Sequence, residues 1–182
     1  MNDTVLINPA SPTEDEKRVN AIFSAIEKSL GFVPDGIKLY AVSPPLLESF
    51  VGAIGYFRGQ ERLSQELLAL IRYVTSSRNH CNFCIDFNEG ILLQLGKTLD
   101  VIRAAADDLD KAPLPENEKA LLQFALDALE QPEAIDSSRI DALKARGWED
   151  RDLFDAVFVA ANNRGFTTLL KTFNVDHQGA LG

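Results

Sequence analysis

Cys81 and Cys84 are the only two cysteines in this 182-residue chain, and they stand three apart. They lie in the segment Ser77-Arg78-Asn79-His80-Cys81-Asn82-Phe83-Cys84-Ile85-Asp86-Phe87-Asn88. At a helix start this spacing lets two thiols close a small disulfide with little backbone movement, because both sulfurs fall on the first turn. The free N–H groups and the positive end of the helix dipole favour a thiolate there. Only the thiolate attacks a peroxide or a disulfide, so the placement suits thiol redox chemistry. Arg78 and His80 add positive charge just upstream, and a histidine beside a cysteine can serve as base or thiolate partner. His80 reads equally as a cap or a surface residue.

Two other readings of the pair stand beside the redox one. Zinc takes four ligands, a single C-x-x-C supplies two, and His80 adjoins it too tightly for a comfortable third. The other histidine, His177, is near the far terminus. The pair could also be two small buried side chains at a helix turn, since free cysteine is among the most buried residue types.

The elements that must position the pair read as helices throughout, and the fold class expected is all-α. Thr13 and Glu16 fit a capping box, followed by Val19, Ile22, Phe23, Ile26 and Leu30 at helical steps and a stop at Gly31. The Ser43-Pro44-Pro45 break opens a helix from Leu46 to Phe57, in which Gly52 and Gly55 suggest close helix contact. Ser64 opens a stronger helix with Leu67, Leu68, Leu70, Ile71 and Val74 inward, fading near Ser76 to Asn79. Cys81 begins the next, through Ile85, Ile91, Leu92 and Leu95 to Gly96. Thr98 caps a short helix that ends near Leu109. Asp110 to Pro115 is the clearest linker. Leu121 to Leu129, then Ile140 and Leu143 up to Gly147, then Leu153 to Leu170 complete the set. No alternating strand, dinucleotide fingerprint, P-loop or serine elbow occurs. One all-α domain over 1–182 is expected, in three stretches: 1–60, 61–110 around the cysteines, and 111–182.

Lys plus Arg number 18 against 27 Asp plus Glu, a formal charge of −9. That balance argues against a nucleic-acid partner and against docking on an anionic membrane. No apolar run approaches the ~20 residues that span a bilayer, and the N-terminus lacks a signal peptide's basic start and apolar run. The chain is read as cytoplasmic. Apolar residues on nearly every helix predict self-association.

The stretch from Leu63 to about Gly96, LSQELLALIRYVTSSRNHCNFCIDFNEGILLQLG, resembles the alkyl hydroperoxidase D-like, carboxymuconolactone decarboxylase superfamily. The segment from Trp148 to Val157 is similar to the terminal helix of its peroxidase-related members. The resemblance implies a helical bundle with C-x-x-C at a helix N-terminus. It also implies a trimer, hexamer or dimer, and thiol-dependent reduction of hydroperoxides with an external dithiol reductant and no bound cofactor or metal. In the family pattern E-x11-C-x-x-C-x3-H the second cysteine attacks and the first resolves, which here assigns Cys84 and Cys81. The glutamate position holds Ala69 and the histidine position Asn88, so the family's proton relay is absent. Asn88 could donate a hydrogen bond to a thiolate, Glu66 lies one helical turn before Ala69, and His80 is the remaining base. Cys84, Cys81, His80, Glu66 and Asn88 are therefore the candidate site. The alternative is a non-catalytic redox sensor or small-ligand-binding helical oligomer whose relay has been lost.

Overall fold

The computed structural model describes residues 5–175. Within them the regular elements are helical: α1 Glu16–Leu30, α2 Asp35–Lys38, α3 Pro44–Arg58, α4 Gln65–Arg78, α5 Asn82–Gln94, α6 Leu99–Asp107, α7 Glu116–Glu130, α8 Ser137–Lys144 and α9 Asp150–Thr172, with short 3-10 turns between some of them. The fold class is all-α. Two compact units divide the chain: one runs to Gln60 and resumes at Leu170, the other spans Glu61–Leu169. Residues 111–169 thus pack with the cysteine-bearing stretch and do not form a C-terminal set of their own. None of the described helices is long and apolar enough to cross a membrane.

The first unit packs α1 against α3. Val19, Ile37, Ala41 and Leu47 form its buried cluster, flanked by Ile22, Phe23, Ile26, Phe50 and Val51. The Tyr40 and Phe50 rings stack at 4.6 Å. Gly31 ends α1 at φ +83°, a left-handed turn that only glycine adopts without cost. The expected capping box does not form. Thr13 starts a 3-10 turn over Thr13–Asp15 and Glu16 is the first residue of α1, so neither side chain meets an orphan N–H. Gly52 and Gly55 are not at a close helix contact either, since a Cβ at each would meet nothing within 4 Å.

The second unit is built around α4. Leu67, Leu68, Ala69, Leu70, Ile71, Tyr73, Val74, Thr75 and Ser76 are all buried, a helix enclosed on nearly every side. Ser64 caps it as expected: its Oγ accepts from the Leu67 N–H at 3.0 Å and donates to Glu118 at 2.8 Å. The Asp110 to Pro115 stretch is a packed turn and not a loose linker, because Ala112 and Leu114 are buried.

The start of α9 is fixed by one carboxylate. Asp152, at the third helical position, accepts from the Glu149 N–H at 2.8 Å, half of a capping box. The same carboxylate, 1% exposed, takes the Arg62 guanidinium at 2.6–2.9 Å. Burial pushes its pKa up, but Arg62 and the Glu149 N–H outweigh that and leave the group below the ordinary value. A depressed folded-state pKa contributes stability above the unfolded value of about 3.9, and that contribution is lost as pH falls through the folded value. Asp152→Asn is therefore expected to destabilise the fold at neutral pH by about 1–2 kcal/mol. The gap between variant and parent, followed by urea unfolding, should close below about pH 4.

Candidate active site

The dithiol sits where α5 begins, between α4 and α9. Cys81 is the N-cap of α5 and Cys84 its third residue, so the first sulfur stands one position outside the first turn. The turn from α4 is tight. The His80 backbone takes φ +50°, and the Cys81 N–H donates to the Ser76 carbonyl at 3.1 Å. This folds the chain back so that both cysteines are buried, at 4% and 3% exposure, with their sulfurs 2.7 Å apart and hydrogen-bonded. Both are thiols here.

Around the sulfurs the neighbours are hydroxyls and amides. Thr167, reaching in from α9, places Oγ1 3.5 Å from Cys84 Sγ. Ser76 Oγ donates to the Arg72 carbonyl at 2.7 Å and accepts from Asn163 Nδ2 at 2.9 Å. The Cys84 thiol is pushed far up from its ordinary value, first by its hydrogen bond with Cys81 and then by burial. Thr167 and Ser76 pull weakly the other way. This reverses the expectation of an easily ionised helix-start thiolate at Cys84. The Cys81 thiol donates to Cys84 Sγ, and the two sulfurs titrate as a coupled pair.

Asn88 is buried one turn further along α5. Its Nδ2 donates to the Cys84 carbonyl at 2.8 Å and its Oδ1 accepts from Arg72 Nε at 3.0 Å. It therefore steadies the α5 backbone and does not point its amide at a sulfur, contrary to the expected role. His80 is exposed, and its ring makes no hydrogen bond or ion pair among the described residues. Glu66 lies in the first turn of α4 and pairs with Lys97 at 3.9 Å. Ten residues separate it from Ser76, roughly 15 Å along the helix axis, which is too far to replace the relay. Ala69 is fully buried. Among the described residues no group of three His, Cys, Asp or Glu side chains is placed to hold a metal ion.

Arg72, Ser76, Asn163 and Thr167 were not singled out from the sequence. Arg72 carried a signal, being a charge set in the apolar run from Leu67 to Val74. Thr167 carried none, since its contact with Cys84 spans 83 positions.

No family model matches the chain, and no curated protein does. Among solved structures it is similar to an uncharacterized peroxidase-related protein from Silicibacter sp. TM1040, at TM-score 0.81 and 21% identity over 95% of this chain and 91% of that one. A second similarity is to the alkylhydroperoxidase AhpD core of a peroxidase-related protein from Ralstonia eutropha JMP134, at TM-score 0.80 and 20% identity over 98% and 95%. This chain has the alkylhydroperoxidase D-like fold. A third similarity is to the debrominase Bmp8, as a cysteine-to-alanine variant in complex with 2,3,4-tribromopyrrole, at TM-score 0.67 and 20% identity over 94% and 90%. The Arg72–Asn88 pair is a feature of this chain's own residues.

If Cys81 is what holds the Cys84 proton in place, removing its sulfur should release it. Cys81→Ala is expected to lower the Cys84 pKa, read from the pH dependence of its alkylation by iodoacetamide. An unchanged or higher value would contradict the shared-proton arrangement.

Proposed function

We propose that the chain is a thiol peroxidase or disulfide reductase that reduces organic hydroperoxides at the Cys81/Cys84 pair. The observation that carries this reading is the 2.7 Å approach of two sulfurs at the start of α5, close enough to bond once oxidised. The alkylhydroperoxidase D-like fold supports it.

In the singly ionised pair one proton is shared along the Cys81–Cys84 hydrogen bond. As Cys84 attacks the hydroperoxide, the O–O bond breaks and a sulfenic acid forms on Cys84. The Cys84 proton passes by way of Cys81 to the departing alkoxide, which leaves as an alcohol. Cys81 then displaces hydroxide from the sulfenic acid, water leaves with a proton from solvent, and the disulfide closes. An external dithiol returns two electrons and two protons. Cys81 thus stands in for the missing Glu and His relay. General-base assistance is typically worth ~10²–10⁴ in rate, so a chain lacking a dedicated base is expected to turn over slowly.

A second reading uses the same two electrons on a halogenated aromatic: the carbon–halogen bond breaks, halide leaves, a proton takes its place and the disulfide forms. Phe83, between the two cysteines in sequence, favours it: its ring lies 6.2 Å from Phe87 and 6.3 Å from Phe166, an aromatic cluster suited to a flat apolar substrate. The debrominase Bmp8 has the same overall fold.

Brief exposure of the reduced protein to an organic hydroperoxide should remove two hydrogens between positions 81 and 84 by mass spectrometry. Cys84→Ser should abolish turnover with a dithiol donor. Retained hydroperoxide turnover in that variant would refute the assignment, and turnover confined to a bromopyrrole with bromide release would favour the second reading.

Self-association is part of the proposal. On the outward face of α9, Phe154 is 69% exposed and stacks on Phe158 at 6.4 Å, in line with exposed Ala161, Gly165 and Leu169. Such a stripe is a face for a second copy. Light scattering is expected to give a multiple of 20.1 kDa, reduced by Phe154→Asp. A parent that is already monomeric would end this part of the reading.

A further inference from the structure

Arg72 is a cation enclosed by the second unit that lacks the carboxylate such a residue usually has. Its Nε is committed to Asn88 Oδ1 at 3.0 Å. The Nη1 and Nη2 groups hydrogen-bond to nothing, and no acidic side chain lies within 4 Å of the guanidinium, among the described residues. The side chain is only part-buried, and its Nη groups are not sealed from the surface. A part-buried guanidinium with free N–H groups favours an anionic acceptor. Burial without a compensating anion pulls its pKa down to about 10, so it is still a cation at neutral pH.

The free edge belongs to the dithiol site. Arg72 Nε, Asn88 and the Cys84 carbonyl form a chain of two hydrogen bonds. On α5 the ridge of Cys84 and Asn88 neighbours the ridge of Phe83 and Phe87, one residue or roughly 100° away around the helix. Arg72 and the Phe83/Phe87 ridge therefore both adjoin the Cys84–Asn88 ridge of α5.

The geometry points to a carboxylate-binding subsite: Arg72 receives the carboxylate of an amphipathic organic monoacid whose apolar body lies along Phe83 and Phe87 and whose reducible group faces Cys84. A planar fork with two free N–H groups matches a carboxylate in bidentate fashion. One cation with no second Lys or Arg beside it matches a single negative charge better than a phosphate. This inference deepens the dithiol-reductase reading by naming its substrate class, and it rests on that reading only for the role of Cys84.

The test separates the two. Octanoate and its neutral counterpart octanol are titrated into the reduced protein by calorimetry, for the parent, Arg72→Met and Arg72→Lys. Octanoate is expected to bind the parent saturably and to weaken about tenfold or more in Arg72→Met, while octanol is unaffected by the substitution. If Arg72→Met does not fold, Arg72→Lys decides: it keeps the charge and loses the fork, so octanoate weakens and octanol does not. Octanoate binding the parent no better than octanol, or equally well in the variants, would overturn the subsite. In parallel, turnover of a fatty-acid hydroperoxide is compared with that of its methyl ester, and the acid is expected to be favoured in kcat/KM for the parent alone. Intact octanoate binding with no turnover of either would defeat the reductase reading and leave the subsite standing. Intact turnover with no preference for the acid would defeat the subsite alone.

Discussion

Burying the start of a helix without leaving its polar groups stranded is the constraint on which the site depends. A helix start exposes N–H groups that need acceptors, and hiding one without partners costs about 1–3 kcal/mol per group. Here the Cys81 N–H goes to Ser76, Ser76 Oγ goes to Arg72, Asn163 bonds both Ser76 Oγ and the Arg72 carbonyl, and Asn88 secures the Cys84 carbonyl. Three helices, α4, α5 and α9, are thereby joined by hydrogen bonds at one level. The sulfurs, 2.7 Å apart, sit within the turn that this network holds.

Two effects compete over the proton the sulfurs share. The positive end of a helix is worth about 0.3–1 kcal/mol to an anion, up to about 2 in favourable geometry. Burial shifts a pKa by up to 3–5 units, at about 1.4 kcal/mol each. At Cys84 the hydrogen bond with Cys81 and then burial outweigh the helix dipole, so the helix start does not produce an easily ionised Cys84. The same burial that blunts the nucleophile keeps it from idle oxidation.

The helices were legible because their apolar residues recur at three and four positions, and a buried stripe on one helix is a local property. Gly31 and Gly96 were legible as stops for the same reason, both adopting positive φ where the pattern ends. The dithiol at the head of α5 was legible from C-x-x-C and its flanks. Thr13 misled because a capping box needs a particular backbone entry, and the chain enters α1 through a 3-10 turn. His80 misled because adjacency in sequence does not aim a ring: a left-handed backbone at that residue leaves it in solvent. Thr167 and Asn163 were hidden by distance along the chain, since their contacts with Cys84 and Arg72 join positions 83 and 91 apart.

The asparagine at position 88 and the presence of Arg72 are one physical fact, joined by a hydrogen bond at 3.0 Å. A histidine at position 88 would have to present a bare nitrogen to the Arg72 N–H and so remain neutral. Taking up a proton would turn that acceptor into a second donor and set two cations against each other in an enclosed space, a cost the interior does not screen. Such a histidine could not cycle a proton. An asparagine loses nothing there, because its amide carries an acceptor for Arg72 and a donor for the Cys84 carbonyl at all working pH values.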